Sequence, residues 1–315
     1  VARLSDLVRE QALAAATDRP SSLRLDPDSP QEWYEAARLE LRRVRDGVRG
    51  NVIPGVSQCE ALARSLVYEL RRSDDCVRRA LAGRSDQYLI DNAVHVAILS
   101  VKIGMGLSYS AEALEQLALA GLLHDVGMWA LPDTVTAKAG PLTPEEMATV
   151  RSHPERGRRV LAALGGAYDR LAAVVAQEHE RWDGSGYPCR LKEDQITEHA
   201  QILGLADVLD ALVTQRPYKN SITPHQALRE LFVHGKPLFS RRVLKALGDA
   251  VTLYPVGTPV RLNTGDGGTV SRINPGYPLR PILAMKSGTS AGGELDLGRT
   301  PSAYIVEVLQ QGGES

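Results

Sequence analysis

Cysteine is scarce in this chain of 315 residues. Cys59, Cys76 and Cys189 form no C-x-x-C pair and leave one thiol over, which excludes a disulfide scaffold and suits a reducing compartment. Charge of one sign is also missing, with 37 basic against 38 acidic residues. That balance asks for neither duplex nucleic acid nor an anionic membrane as partner. No apolar run approaches the roughly 18 uninterrupted residues of a membrane-crossing helix, and Arg and Asp punctuate the first 25 positions. No signal peptide is read there, and a cytoplasmic location is expected. No internal repeat is detectable.

What is present is a globular composition, 43% hydrophobic, enough for one large or two to three smaller domains. Residues 1–85 are rich in Ala, Leu and Arg with helical periodicity. Helix starts are legible at Ser29-Pro30 with Glu32, and at Ser57 with Glu60. This stretch reads as an N-terminal helical domain without chemistry of its own. Residues 86–253 continue in longer helical segments, near 88–106, 110–124, 144–165, 167–180, 199–214 and 224–233, with Thr143, Pro144 and Glu146 as another helix start. From about 256 to 312 the pattern changes to short alternating strands, "PVRLN", "GTVSRI", "PILAMK" and "AYIVEVL", divided by Gly, Asp, Asn and Pro. A small β extension follows from this, an SH3-like barrel or a meander, with "SGTSAGGE" as a loop. The fold class is therefore mainly α, a helical bundle with a helical lead-in and a small β domain.

The chemistry concentrates where polar groups interrupt apolar helices. Asp91 and His95 lie four apart on one helix face. His124 and Asp125 end the run "LAGLLHDVG", His153 precedes Pro154 where the helix must bend, Glu178 and His179 close the next segment, and Asp207 sits inside "LGLADVLDAL". A single histidine in such a place is more often a satisfied core residue than a ligand. Five helices that each bring an imidazole or a carboxylate would each carry a desolvation cost, and a shared cation relieves all of them together. Nitrogen and oxygen donors without thiolate suit Fe, Mn, Ni or Zn, and mixed sets of this kind in bundles often hold two ions. An aspartate beside a histidine, as at 124–125, then allows one residue to bind the first ion and the other to span to the second. The loop "HERWDGSGYP" is tight because of Gly184, Gly186 and Pro188. Arg216 and Lys219 of "RPYK" offer two cations for an anionic, phosphate-bearing substrate.

In this order and at these separations, "HD" at 124–125, His153-Pro154, "HERWDGSGYP" and "ADVLDALVTQRPYK" resemble the HD-GYP phosphodiesterases, a branch of the HD metallophosphohydrolases, over about residues 86–253. The resemblance implies hydrolysis of cyclic di-GMP to pGpG, and in some members on to GMP, by two or three divalent ions, often iron or manganese. Carried over residue by residue, it assigns His95, His124, Asp125, His153, His179 and Asp207 to the metals. His124 and Asp125 form the catalytic pair, Tyr187 with Gly186 and Pro188 lines the substrate, and Arg216 and Lys219 contact phosphate.

Three positions depart from the family pattern. Met128 stands where a lysine commonly contacts phosphate, Glu178 replaces a histidine, and Asp91 replaces a glutamate; Glu178 and Asp91 would serve a third ion. A binuclear site is therefore expected, in which the ions acidify a water for in-line attack at phosphorus and Arg216 and Lys219 balance the phosphate charge. The missing lysine opens an alternative, a weak enzyme acting as a cyclic di-GMP receptor or as a scaffold for signalling proteins. A different substrate such as cyclic GMP-AMP is the other alternative. The resemblance leaves homodimer formation open.

Overall fold

The structure is a computed structural model. It describes residues 29–309 apart from 53–54, 83–84, 86, 137, 139, 216–220, 252–253, 255, 275–279 and 289. Residues 1–28, 53–54 and 83–84 of the expected N-terminal helical domain, and also Arg216 and Lys219, lie outside the described residues.

Helix α1 (Pro30–Arg49) starts as its sequence directs, with the Ser29 side chain accepting from the Glu32 N–H at 3.2 Å and Pro30 in the first turn. Its neighbour α2 (Ser57–Arg72) departs from expectation: Ser57 is the first helical residue, and Val56 occupies the cap position without a side-chain bond. After α3 (Asp75–Ala80) comes α4 (Tyr88–Gly106), which is apolar around nearly its whole circumference. By length and composition α4 could cross a membrane, with a mean hydropathy of 1.3, yet 78% of it is buried inside the fold. It is the central helix, packed against α1, α2 and α3, and against α5 (Ala111–Leu123), α10 (Glu198–Val213) and α12 (Arg241–Ala250). A helix apolar all round belongs in such a core.

The site is carried by the connections that follow α5. His124 is its C-terminal cap, and the chain turns through a 3₁₀ segment, Val126–Ala130, into the short α6 (Asp133–Thr136). The expected helix over 144–165 is two helices, α7 (Pro144–Val150) and α8 (His153–Ala162). Thr143 and Glu146 close a reciprocal capping box on the first. Pro154 cannot donate to a continuing helix, so it occupies the first turn of a new one. Helix α9 (Asp169–Ala176) stops before Glu178 and His179, which sit in the turn beyond it. Helix α11 (Pro224–His234) lies between α10 and α12.

The helices of residues 30–80 do not stand apart. Trp33, Leu41, Leu62 and Leu66 belong to the same buried cluster as Ile98, Leu122 and Val175, and the Trp33 indole donates to the Leu62 carbonyl at 3.0 Å. The C-terminal strands, β1 (Pro259–Leu262), β2 (Gly267–Arg272), β3 (Ile282–Met285), β4 (Glu294–Asp296) and β5 (Ile305–Val308), form one antiparallel sheet in the order β4-β3-β2-β1-β5. It is a four-strand meander whose last strand returns to pair with β1. Strand β4 has no counterpart in the sequence reading because it is three residues long and begins at Glu294, the last residue of the Gly/Ser-rich stretch expected as a loop. Val260, Leu262, Val270 and Leu283 form the small core of this sheet.

Two glycines make the close approaches that bring the site together. A Cβ on Gly127 would lie 2.0 Å from the His153 carbonyl oxygen, so the 3₁₀ segment can touch α8 only without a side chain. A Cβ on Gly204 would lie 2.3 Å from the Glu178 carbonyl, which seats the Glu178 turn on α10 in the same way. Gly127→Ala is expected to force the 3₁₀ segment off α8 and lower stability by about 1–3 kcal/mol. Gly55→Ala, which meets nothing within 4 Å, should stay within about 0.5 kcal/mol. Urea unfolding of the metal-free protein measures both.

Candidate metal centre

Four side chains from three separate connections meet in one place. One ligand atom each from Asp125, His153, Glu178 and His179 can be chosen so that all lie within 4.8 Å of one another. His153 Nε2 is 2.9 Å from Glu178 Oε1, 3.0 Å from His179 Nε2 and 3.3 Å from Asp125 Oδ1. His124 adjoins the group, its Nε2 3.7 Å from Asp125 Oδ2. Asp125 therefore turns one oxygen toward His153 and the other toward His124.

The backbone fixes which ring nitrogens face inward. His124 Nδ1 lies 2.8 Å from the Gly121 carbonyl, and His153 Nδ1 lies 2.8 Å from the Val150 carbonyl. A carbonyl can only accept, so each Nδ1 carries the proton and each Nε2 presents a lone pair to the cluster. Both residues are almost fully buried. His124 Nε2 and Glu178 Oε2 have no hydrogen-bond partner although both atoms are buried. Such converging acceptors repel one another unless a proton or a cation lies between them.

Without a cation the protein holds protons there. Burial would lower the His153 imidazole, but its hydrogen bond to Glu178 and the charges of Asp125 and Glu178 overcome it and raise the group to about 9. Burial pushes the Glu178 carboxyl up to about 7, against the pull of His124 and His153. Burial and the neighbouring His153 drive His179 well below the usual imidazole range. His124 is raised because Asp125, Glu178 and Asp207 outweigh its burial, and burial raises Asp207. The donor set, two or three imidazole nitrogens with two carboxylates and no thiolate, fits a divalent ion of the Fe, Mn, Ni or Zn kind.

Two expected ligands are engaged elsewhere. His95 Nδ1 is 2.6 Å from Asp210 Oδ1, so the ring donates there, and its Nε2 is 2.7 Å from the Tyr34 hydroxyl. Both nitrogens are therefore taken, and the structure does not bring His95 into the cluster. Asp91 is likewise diverted: Arg38 Nε lies 2.9 Å from its Oδ1, and Ser85 donates to its Oδ2 at 2.8 Å. Tyr34 and Arg38 both come from α1, so the N-terminal helix covers the Asp91–His95 face. Asp207 is linked to this second network through Asn92, whose amide reaches Asp207 at 3.2 Å and Asp210 at 2.8 Å. Asp210 is fully buried and also accepts from Thr214. It escaped the sequence reading, although a second acid three residues after Asp207 in an apolar helix was a signal for it.

The loop beyond His179 is braced from within. Glu180, buried, accepts from the Cys189 N–H at 2.6 Å and the Leu191 N–H at 2.9 Å, while Arg181 donates to the Glu178 and Glu180 carbonyls. A Cβ on Gly186 would lie within 2.5 Å of the backbone of residues 179–181. Tyr187 stacks on His179 with ring centroids 4.7 Å apart and planes 17° off parallel, and burial with the nearby Glu178 and Asp125 charges raises its phenol. The Tyr187–Pro188 peptide is cis. Met128 donates its backbone N–H to the Asp125 carbonyl.

Similarity to known proteins points the same way. The family model described as HD domain matches residues 75–240. Cyclic di-GMP phosphodiesterase PA4108 of Pseudomonas aeruginosa is 31% identical, across 84% of this chain and 67% of that protein. The cyclic di-GMP phosphodiesterase response regulator RpfG of Xanthomonas campestris is 32% identical across 66% of this chain and 55% of its own. A 3'3'-cGAMP-specific phosphodiesterase of Vibrio cholerae is 30% identical across 69% of this chain and 41% of its own. The chain thus spans from about two fifths to two thirds of the length of these relatives. Among solved structures, the HD-GYP-type protein Bd1817 of Bdellovibrio bacteriovorus superposes with a TM-score of 0.58 at 17% identity, covering 76% of each chain, which is a likeness of fold.

Metal binding must expel the protons that the cluster holds in the metal-free protein. Below pH 7 both His153 and Glu178 carry one, between about 7 and 9 mainly His153 does, and above 9 neither. Affinity for Mn(II) should therefore climb as the pH rises from 7 to 9, with net release of protons on binding. Calorimetry in buffers of different ionisation enthalpy measures that release, and an affinity independent of pH would contradict the assignment.

Proposed function

The chain belongs to the HD domain family, in its HD-GYP branch, and on that premise we propose that it is a metal-dependent phosphodiesterase that opens cyclic di-GMP to pGpG. The observation that carries this reading is the set of inward Nε2 lone pairs and carboxylate oxygens at His124, Asp125, His153, Glu178 and His179. Two ions, iron or manganese, are the occupants we assign. Bound there, they would supply the positive charge that acidifies an attacking water and draws electron density from phosphorus.

The chain's own residues do the rest. Asp125, with one oxygen toward His153 and the other toward His124, is the carboxylate that would hold both ions and orient the water. Glu178 takes the place that a histidine fills in the family pattern and adds negative charge to the set, favouring harder ions. Asp207, next along through Asn92, closes the cage. With Arg38 on Asp91, one of the two residues expected to serve a third ion is engaged by the protein itself, which supports the binuclear reading. Tyr187, Gly186 and Pro188 shape the substrate side, and Arg216 and Lys219 are assigned to the phosphates. The buried, unpaired Cys59 and Cys76 agree with a cytoplasmic location.

A second reading has its own support: similarity to a 3'3'-cGAMP-specific enzyme makes cyclic GMP-AMP the alternative substrate. The test is chromatography of the products formed from each dinucleotide after anaerobic loading with Fe(II) or Mn(II). The account expects pGpG from cyclic di-GMP. Binding of cyclic di-GMP without any product would overturn it in favour of a receptor.

A further inference from the structure

Beside the metal cluster the loop after His179 forms a cavity of about 250 Å³, lined by Arg151, Gly184, Ser185, Gly186, Tyr187 and Arg190. It is smaller than the roughly 300–1,000 Å³ typical of a whole-ligand pocket, so it admits part of a cyclic dinucleotide, about one base. Its inner wall, Tyr187, is the residue stacked on His179, so a phosphate at the metal centre would have this cavity beside it. Neither Arg151 nor Arg190 has an ion-pair or side-chain hydrogen-bond partner among the described residues. Arg151 is instead held with its guanidinium 5.5 Å from the centre of the Tyr187 ring.

Arg190 is unusual in its backbone as well. Its φ is +55°, a conformation that favours glycine and that a long side chain adopts only under constraint. The constraint is visible: Glu180 grips the N–H groups of both flanking residues, Cys189 through one carboxylate oxygen and Leu191 through the other. Asp183 takes the Ser185 N–H at 2.9 Å, and the Lys192 stem fills the space over Gly184. A buried acid thus holds Arg190 in a strained position at the rim of a cavity where the guanidinium meets no protein acceptor.

We propose that this cavity is a guanine subsite, in which Arg190 donates two hydrogen bonds to guanine O6 and N7 and Arg151, over Tyr187, provides the plane against which the base lies. A guanidinium only donates, and guanine offers two adjacent acceptors on that edge. Adenine offers one acceptor and one donor there, so it leaves half of the fork facing a donor. Arginine planes also stack on bases. The inference rests on the reading of the chain as a cyclic dinucleotide phosphodiesterase and adds to it a preference for guanine.

The test compares binding of cyclic di-GMP and cyclic di-AMP to the Mn(II)-loaded protein and to Arg190→Gly. Glycine accepts the positive φ, so the variant keeps the loop backbone. The preference for cyclic di-GMP should fall in Arg190→Gly by on the order of tenfold to a hundredfold, with cyclic di-AMP binding little changed. An unchanged preference, an equal loss for both ligands, or no binding of either by the unaltered protein would overturn the subsite. Hydrolysis of bis(p-nitrophenyl) phosphate, which has no base, by the unaltered protein reports separately on the metal centre. Turnover there without guanine preference sinks the subsite alone, whereas guanine preference without turnover sinks the catalytic reading and leaves the subsite standing.

Discussion

The convergence of lone pairs on one buried point constrains everything around it. His124, His153 and Glu178 are each nearly inaccessible, and two of their inward atoms have no protein partner. An arrangement of this kind is unfavourable in an apolar core unless a cation completes it. Its precision comes from groups that never face the site. The Gly121 and Val150 carbonyls set the tautomers, and Gly127 and Gly204 permit the backbone contacts that bring three connections together.

A second polar network runs alongside the first. Asp210 holds His95, Asn92 ties Asp210 to Asp207, and α1 closes the far side with Tyr34 on His95 and Arg38 on Asp91. Both ring nitrogens of His95 and both carboxylate oxygens of Asp210 have partners from the protein itself, in contrast to His124 and Glu178 in the cluster beside them. The N-terminal helix is thus physically continuous with the site, through these contacts and through the shared core around Trp33. A change in the placement of α1 would release the nitrogen of His95 that Tyr34 now covers.

The sequence revealed the helical bundle because its apolar periodicity and caps are local signals, and it revealed the sheet because strand alternation and turn residues are local too. The break between α7 and α8 was partly legible: Pro154 announced a bend, but that it begins a separate helix depends on packing against the 3₁₀ segment. At the site, HD at 124–125, His153 and the pair 178–179 could be found from their positions at the ends of apolar segments. The diversion of His95 and Asp91 could not, since it depends on Tyr34 and Arg38, some 50 to 60 positions away in sequence and placed by tertiary packing. Arg190 escaped for a related reason, because a positive φ in a non-glycine residue leaves no mark in the sequence.

The most direct measurement is elemental analysis of the protein loaded anaerobically and then dialysed, side by side with Asp125→Asn. If the lone-pair cluster is a cation site bridged by Asp125, the unaltered chain retains about two ions and the variant distinctly fewer. Retention of the same metal by both proteins, or of none by the unaltered one, would contradict the account.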